Sequence, residues 1–264
     1  MDKEFNVLGK RRFSFIMTLL IMIFFYLPIA MLIALSFNSA RQGVIWTGFT
    51  LKWYSVLFRD DEIWRAFLNT VIIALTSSTV ATAIGVLSAI GIYWHNFRLK
   101  RYFQALIYTP LIVPDILMGV SMLMFFVSLR IQLGLFTIFI AHVTFSISYV
   151  ILIVIARLED FDYSIIEAAQ DLGASWYQIF FKIIIPMIKP AIIASFLLSI
   201  TLSIDDFVIT FFVAGPGSTT LPLQIYSMIK FGVSPEINAL STLLIGATFI
   251  ISIFGLRFRK LIFS

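Results

Sequence analysis

The 264-residue chain has no cysteine and only two histidines, His95 and His142. Without cysteine there is no thiol catalysis, no iron–sulfur ligation, no cysteine zinc site and no disulfide. Two histidines so far apart cannot make a histidine-based metal site by themselves. Charged residues make up 12% of the chain, against ~25% in a soluble domain. Charge that sparse cannot solvate a water-facing surface, which excludes disordered, fibrous and ordinary cytosolic enzyme classes. A phosphate-binding Walker A sequence is also missing. The only Gly-Lys pair, Gly9-Lys10, lacks both the upstream glycine and the following Ser or Thr. The chain therefore cannot be its own ATP-driven motor, and no HExxH or spaced Ser–His pairing marks it as an intramembrane enzyme.

What the chain has instead is apolar length. Hydrophobic residues reach 60% and the mean hydropathy is +1.01. Six stretches approach or exceed the ~20 apolar residues that a helix needs to cross the hydrocarbon. They are 13–37, 67–94, 102–129, 133–156, 187–214 and 235–256. None alternates as a membrane β-barrel requires, so the expected fold class is an all-α bundle of six transmembrane helices in one domain, 1–264. The first run follows Lys10-Arg11-Arg12 but is too long for a signal-peptide core of ~7–15 residues, and is expected to be an uncleaved anchor.

The formal charge of +5 and pI near 9.5 come from basic residues at the ends of these runs, which points to membrane orientation and not to nucleic acid. Of the lysines and arginines, 13 fall on one side and 6, including Arg41, on the other. The richer side is expected to be cytoplasmic, with both termini there.

The most polar stretch on that side, 157–186, holds two helix-start signals. Ser164-Ile-Ile-Glu167 has capping-box spacing, and Gly173 suits the left-handed position that ends a helix. Ser175-Trp-Tyr-Gln178 repeats the box, and Pro186 is expected to bound the second helix. Two short helices around a glycine bend should form a projecting elbow. Glu167 on this reading is either a helix cap or a docking residue.

Glu167-Ala168-Ala169, then Gly173, then Ile183-Ile-Ile-Pro186, resembles the EAA loop of ABC-importer permeases, with Ile185 where leucine is usual. The resemblance implies a type I (MetI-like) permease fold and a cytoplasmic coupling loop. It also implies that Glu167, Ala168, Ala169, Asp171, Leu172, Gly173 and Ala174 engage a separate ATPase. ATP and magnesium would bind that partner, leaving this chain non-catalytic and without a cofactor.

Three carboxylates fall within or beside spans: Asp115, Asp205 and Asp206. A mid-membrane carboxylate costs roughly 2.5–3.5 kcal/mol on insertion scales, so it faces a partner or an aqueous pathway. Pro110 and Pro114 each remove a backbone donor next to Asp115. The third span should kink there and expose carbonyl oxygens, an arrangement suited to a cation. Asp205 and Asp206 lie ~100° apart on a helix, with Asp205 sharing a face with Thr201 and Asp206 with Thr210. One could face the pathway while the other binds a neighbouring helix; structural satisfaction of all three is the alternative. Aromatic faces bind ammonium groups, which adds Tyr26, Tyr93 and Tyr149 as pathway candidates. Trp46, Trp53, Tyr54 and Trp64 are expected as interfacial belt residues, and His142 as an interhelical donor. Ser234-Pro235-Glu236 is expected to cap the sixth span.

The stretches Ser203–Gly215 and Thr219–Lys230, with Val113-Pro-Asp115, narrow the resemblance to spermidine/putrescine importer permeases of the C-subunit type. That implies a multi-pass protein of the bacterial inner membrane, paired with a homologous permease subunit. Two ATPase copies and an extracytoplasmic polyamine-binding protein would complete the importer. An importer for another small solute such as ferric iron, or a secondary transporter, remains the alternative.

Overall fold

The computed structural model describes the backbone of residues 2–40, 45–230, 232 and 234–262, and side chains within 13–253 of that set. Arg41 and the side chains of Lys3, Lys10, Arg11, Arg12, Arg257, Arg259 and Lys260, all counted above for orientation, lie outside the described residues. In chain order the helices are α1 (Asp2–Leu35), α2 (Lys52–Leu57), α3 (Asp61–Trp94), α4 (Lys100–Ile112) and α5 (Asp115–Ser128). They continue with α6 (Leu135–Glu159), α7 (Ser164–Asp171) and α8 (Trp176–Ile179), then a π-helical segment, Phe180–Ile184. Last come α9 (Ile185–Asp205), α10 (Val208–Val213), α11 (Leu221–Lys230) and α12 (Pro235–Ile262). Among the described residues the only β pairing is one bridge, Asn38 to Phe49.

The chain divides into two units, one spanning Asp61–Tyr226 and the other joining residues up to Asp60 with Ser227–Arg259. In the second unit, α1 carries an apolar run whose side chains are largely exposed. Its outgoing loop is tied down by buried Asn38, whose amide donates to the Ile45 carbonyl and whose Oδ1 accepts from the Thr47 N–H. Trp53 and Tyr54, expected as belt residues, also brace this loop: the indole donates to the Asn38 carbonyl, and the phenol pairs with Ser36. Helix α12 starts at Pro235 as expected, but the Ser234 hydroxyl finds no hydrogen-bond partner among the described residues and does not cap it.

The larger unit is built on α3, α6 and α9 packed together. Hydrocarbon offers no hydrophobic drive for association, so such helices meet through small residues and hydroxyls. The buried face of α3 has that composition: Ser77, Ser78, Ala81, Thr82, Gly85 and Ala89. At Gly85 a Cβ would stand 2.6 Å from a Val150 methyl. Only the missing side chain lets α3 and α6 come so close.

Among the described residues, five helical segments are long and apolar enough to cross a membrane; the bent α4–α5 pair makes a sixth. The span expected over 102–129, with a kink at its prolines, is two half-length helices bent by 115°. The break is at Val113–Pro114, while Pro110 stays inside α4. Pro114 has no N–H to give Pro110, and it drives the residue before it out of the α region, as the Val113 ψ of 128° records. The fifth span is also interrupted. It runs unbroken from Trp176 to Asp205, so Pro186 does not end the preceding helix as expected. The π segment just before it relieves the clash that a proline ring makes with the carbonyl four residues back. The run then breaks at Asp206, whose ψ is 119°, before α10. The short helices α2 and α11 lie outside the six expected spans.

At the end of the bundle away from α7, Thr137 donates to the Val213 carbonyl at 2.7 Å, and Gly215 lies directly against the Leu133 carbonyl. Gly215→Ala would drive a Cβ into backbone. We expect a loss of about 1–3 kcal/mol, typical of overpacking, read as a lower melting temperature in detergent. Gly91→Ala, facing open space inside α3, should instead hold or raise that temperature.

Candidate functional site

Both broken helices border one cavity of about 270 Å³, into which Asp115, Asp205, Asp206, Phe145, Tyr149 and Phe207 face. Asp115 is the first residue of α5, so the Pro114 break places a carboxylate at a positively polarised helix N-terminus. The Pro114 carbonyl is not free beside it, because it accepts from the Leu117 and Met118 N–H groups at 2.9 and 3.2 Å. Asp205 ends α9 and is exposed to the cavity. Lying 20 residues beyond Ile185, it is ~30 Å along the helix from the α7 end. The carboxylates therefore sit toward the far end of the bundle, at breaks in the helices and not within continuous ones.

Asp206 is held differently. Its Oδ2 accepts from the Thr210 N–H at 2.8 Å and the Thr210 hydroxyl at 2.7 Å, and its Oδ1 from the Ile209 N–H at 3.3 Å. It thereby caps α10, satisfying donors the break would otherwise orphan. Its partnership with Thr210 is legible from the sequence, though a cap makes it and not a shared helix face. His142 Nε2 stands 3.3 Å from the same Oδ2. Of the two neighbouring aspartates, one is thus tied to other elements while the other opens to the cavity.

The sequence candidates separate accordingly. Asp115, Asp205, Asp206 and Tyr149 meet at the cavity. Tyr93 packs instead in the apolar cluster beneath α7, and Tyr26 is an exposed residue of α1. Phe145 and Phe207 complete the lining without any sequence signal beyond aromatic abundance. Among the described residues, no three His, Cys, Asp or Glu side chains converge closely enough to hold a metal ion.

The elbow is the other candidate surface. Helix α7 starts at Ser164, whose side chain makes no cap; Asp162 does so, accepting from the Ser164 N–H at 3.0 Å. The Ser164 hydroxyl and N–H hold the exposed Asp162 carboxyl below its ordinary range. An aspartate two residues upstream makes an Asx turn and adds a charge that favours the helix start, so it outcompetes the serine. At the other end the Gly173 N–H bonds Gln170 and the Ala174 N–H bonds Ala169. With Gly173 at φ +80°, this is a Schellman close. The Ser175–Gln178 capping box forms as expected. Ile166 and Ile179 are fully buried, fastening α7 and α8 to the ends of the bundle helices. Ala169 is buried with them, whereas Glu167, Ala168, Asp171 and Gly173 face outward and Leu172 is 89% exposed.

Known proteins share the sequence pattern and the fold of this chain. Residues 81–263 match the family described as "Binding-protein-dependent transport system inner membrane component". The chain is 46% identical over 222 residues, 84% of each chain, to the "Spermidine/putrescine transport system permease protein PotC" of Escherichia coli (strain K12). Its fold resembles a bacterial ABC transporter involved in alginate import, with TM-score 0.70 and 18% identity, covering 95% of this chain and 97% of that one. It also resembles the MetNI methionine ABC transporter in inward-facing form, with TM-score 0.62 and 18% identity, covering 81% and 99%. The chain is a multi-pass inner-membrane protein with a MetI-like fold. It belongs to the family of binding-protein-dependent transport permeases, the non-catalytic membrane subunits of ABC importers.

Ile166→Ala should loosen the elbow by about 2–5 kcal/mol, as large-to-small core changes do. Faster hydrogen exchange over 163–174, with exchange in α3 unchanged, would be the signature.

Proposed function

We propose that this chain forms half of a polyamine uptake pathway, for spermidine or putrescine, and works as one transmembrane permease domain. The observation that carries the reading is the cavity. Three aspartates and an aromatic wall face it, and among the described residues no lysine or arginine lines it. A polyamine distributes its positive charge along a flexible chain. Carboxylates spread around a cavity suit such a cation better than a single ferric ion, which needs ligands converging on one point. Aromatic faces at Tyr149, Phe145 and Phe207 add favourable contacts for ammonium groups. The name of the E. coli relative supports the same substrate class.

The pathway's other half would be a homologous permease subunit. Two copies of a cytoplasmic ATPase would drive it, holding the ATP and magnesium, and an extracytoplasmic polyamine-binding protein would deliver substrate. The α7–Gly173–α8 elbow is the contact for the ATPase. Glu167, Ala168, Asp171 and Leu172 form its exposed face, Gly173 and Ala174 its bend, and Ala169 anchors it beneath. This puts the elbow and both termini in the cytoplasm, with α4–α5 counted as one crossing, and the cavity toward the outer side.

Two measurements test the reading. In vesicles holding the assembled importer, Asp115→Asn and Asp205→Asn should each reduce spermidine and putrescine uptake at least tenfold with normal assembly. Wild-type uptake of both polyamines by both variants would overturn the pathway. Gly173→Val, which forces a β-branched residue to φ +80°, should leave ATP hydrolysis running while uptake collapses. Full uptake by that variant would remove the elbow from the coupling route.

A further inference from the structure

His142 is fully buried and is not part of the cavity lining, yet it touches both sides of the α9–α10 break. From α6, its Nδ1 lies 2.7 Å from the Ser203 hydroxyl on α9. Its Nε2 lies 3.0 Å from the Thr210 hydroxyl on α10 and 3.3 Å from Asp206 Oδ2. Phe145 packs on the ring, with centroids 5.2 Å apart. We propose that His142 is a positioning residue for the transport cavity: as a clamp across the helix break, it fixes Asp206 so that one carboxylate oxygen stays available to the passing cation.

The hydrogen bonds assign the roles. Asp206 Oδ2 already accepts twice from Thr210, and the Thr210 hydroxyl proton is spent on that oxygen. Nothing but Nε2–H can then sit against Oδ2 and the Thr210 oxygen, and Nδ1 pairs with Ser203, so both ring nitrogens are used. Oδ2 is saturated by three donors, while Oδ1 has one bond of 3.3 Å and keeps acceptor capacity on a residue that lines the cavity.

The identity of the clamp matters as much as its geometry. Arginine would grip both carboxylate oxygens in bidentate fashion and leave neither open to a cation. A single imidazole N–H restrains Oδ2 and leaves Oδ1 its acceptor capacity. The charged groups around the clamp are Asp206 itself and, across the cavity, Asp205 and Asp115. From α3 the facing group is the Ser77 hydroxyl, 3.5 Å from Ser203.

This inference rests on the polyamine-pathway reading. It is tested in the assembled importer by a substitution series with transport KM and kcat measured separately. His142→Ala should raise the KM for spermidine at least fivefold, with the complex's melting temperature within a few degrees of wild type. His142→Gln, a neutral donor of similar reach, should restore most of the affinity, and His142→Arg should not. In the Asp206→Asn background, His142→Ala should add little further, because partners in one network are not additive. Wild-type KM in His142→Ala beside a defective Asp115→Asn would overturn the clamp and leave the pathway standing. Equal losses from His142→Ala with and without Asp206→Asn, or transport through His142→Arg equal to that through His142→Gln, would also overturn it. Wild-type uptake by Asp115→Asn, Asp205→Asn and His142→Ala together would remove the pathway itself.

Discussion

The structure depends on the need to satisfy backbone donors and carboxylates at membrane depth. Hydrocarbon accepts no orphan backbone donor and no unattended carboxylate. The two broken helices are where this chain meets that demand at close quarters. At Asp206 the break frees donors at the start of α10, and the carboxylate that interrupts the helix also caps α10. One residue ends a helix, starts the next and lines a cavity. At Pro114 the break is covalent in origin, and it sets Asp115 at a helix start. Non-helical backbone is tolerated at membrane depth only where protein buries it or water reaches it. Two breaks around one cavity meet that condition together.

The same need shapes the bundle. Helices α3, α6 and α9 cannot rely on water to push them together, so they approach through Gly85, Ala81 and a set of serines. That close packing makes the larger unit a stiff frame, and the frame reaches the elbow. Ile166 and Ile179 lie in one apolar cluster with Val86, Val154 and Ile184, so a displacement of α7 is felt by the bundle helices directly. Close-packed interiors transmit strain. The π segment continues α8 into α9 without a flexible loop between them.

Much of this is legible in the chain. Apolar run length marks the spans, and the proline pair locates the break in the third. The Gly173 close and the Ser175 cap are readable because helix termini are set by neighbours within about five residues. Where the local reading fails, a competing local group wins: Asp162 displaces Ser164 as the cap of α7, and a π turn absorbs Pro186. Of the sequence candidates, Asp115, Asp205, Asp206 and Tyr149 line one cavity. Tyr93 is not separable from them by sequence, since an aromatic's spacing on one helix does not say which neighbour it meets.

The amino-acid sequence determined by itself that this protein lives in a membrane, where most of its spans begin and end, and that it carries a Gly-bent elbow. These come from composition and from bonds closed within a turn or two. Only the tertiary structure decided that residues as distant as 115, 142, 149 and 206 share one neighbourhood. It also decided that Asp206 is clamped while Asp205 is open, and that Ala169 faces inward beneath an exposed Leu172. Those outcomes rest on which helix faces meet, and meeting is a property of the packed bundle that no local pattern encodes.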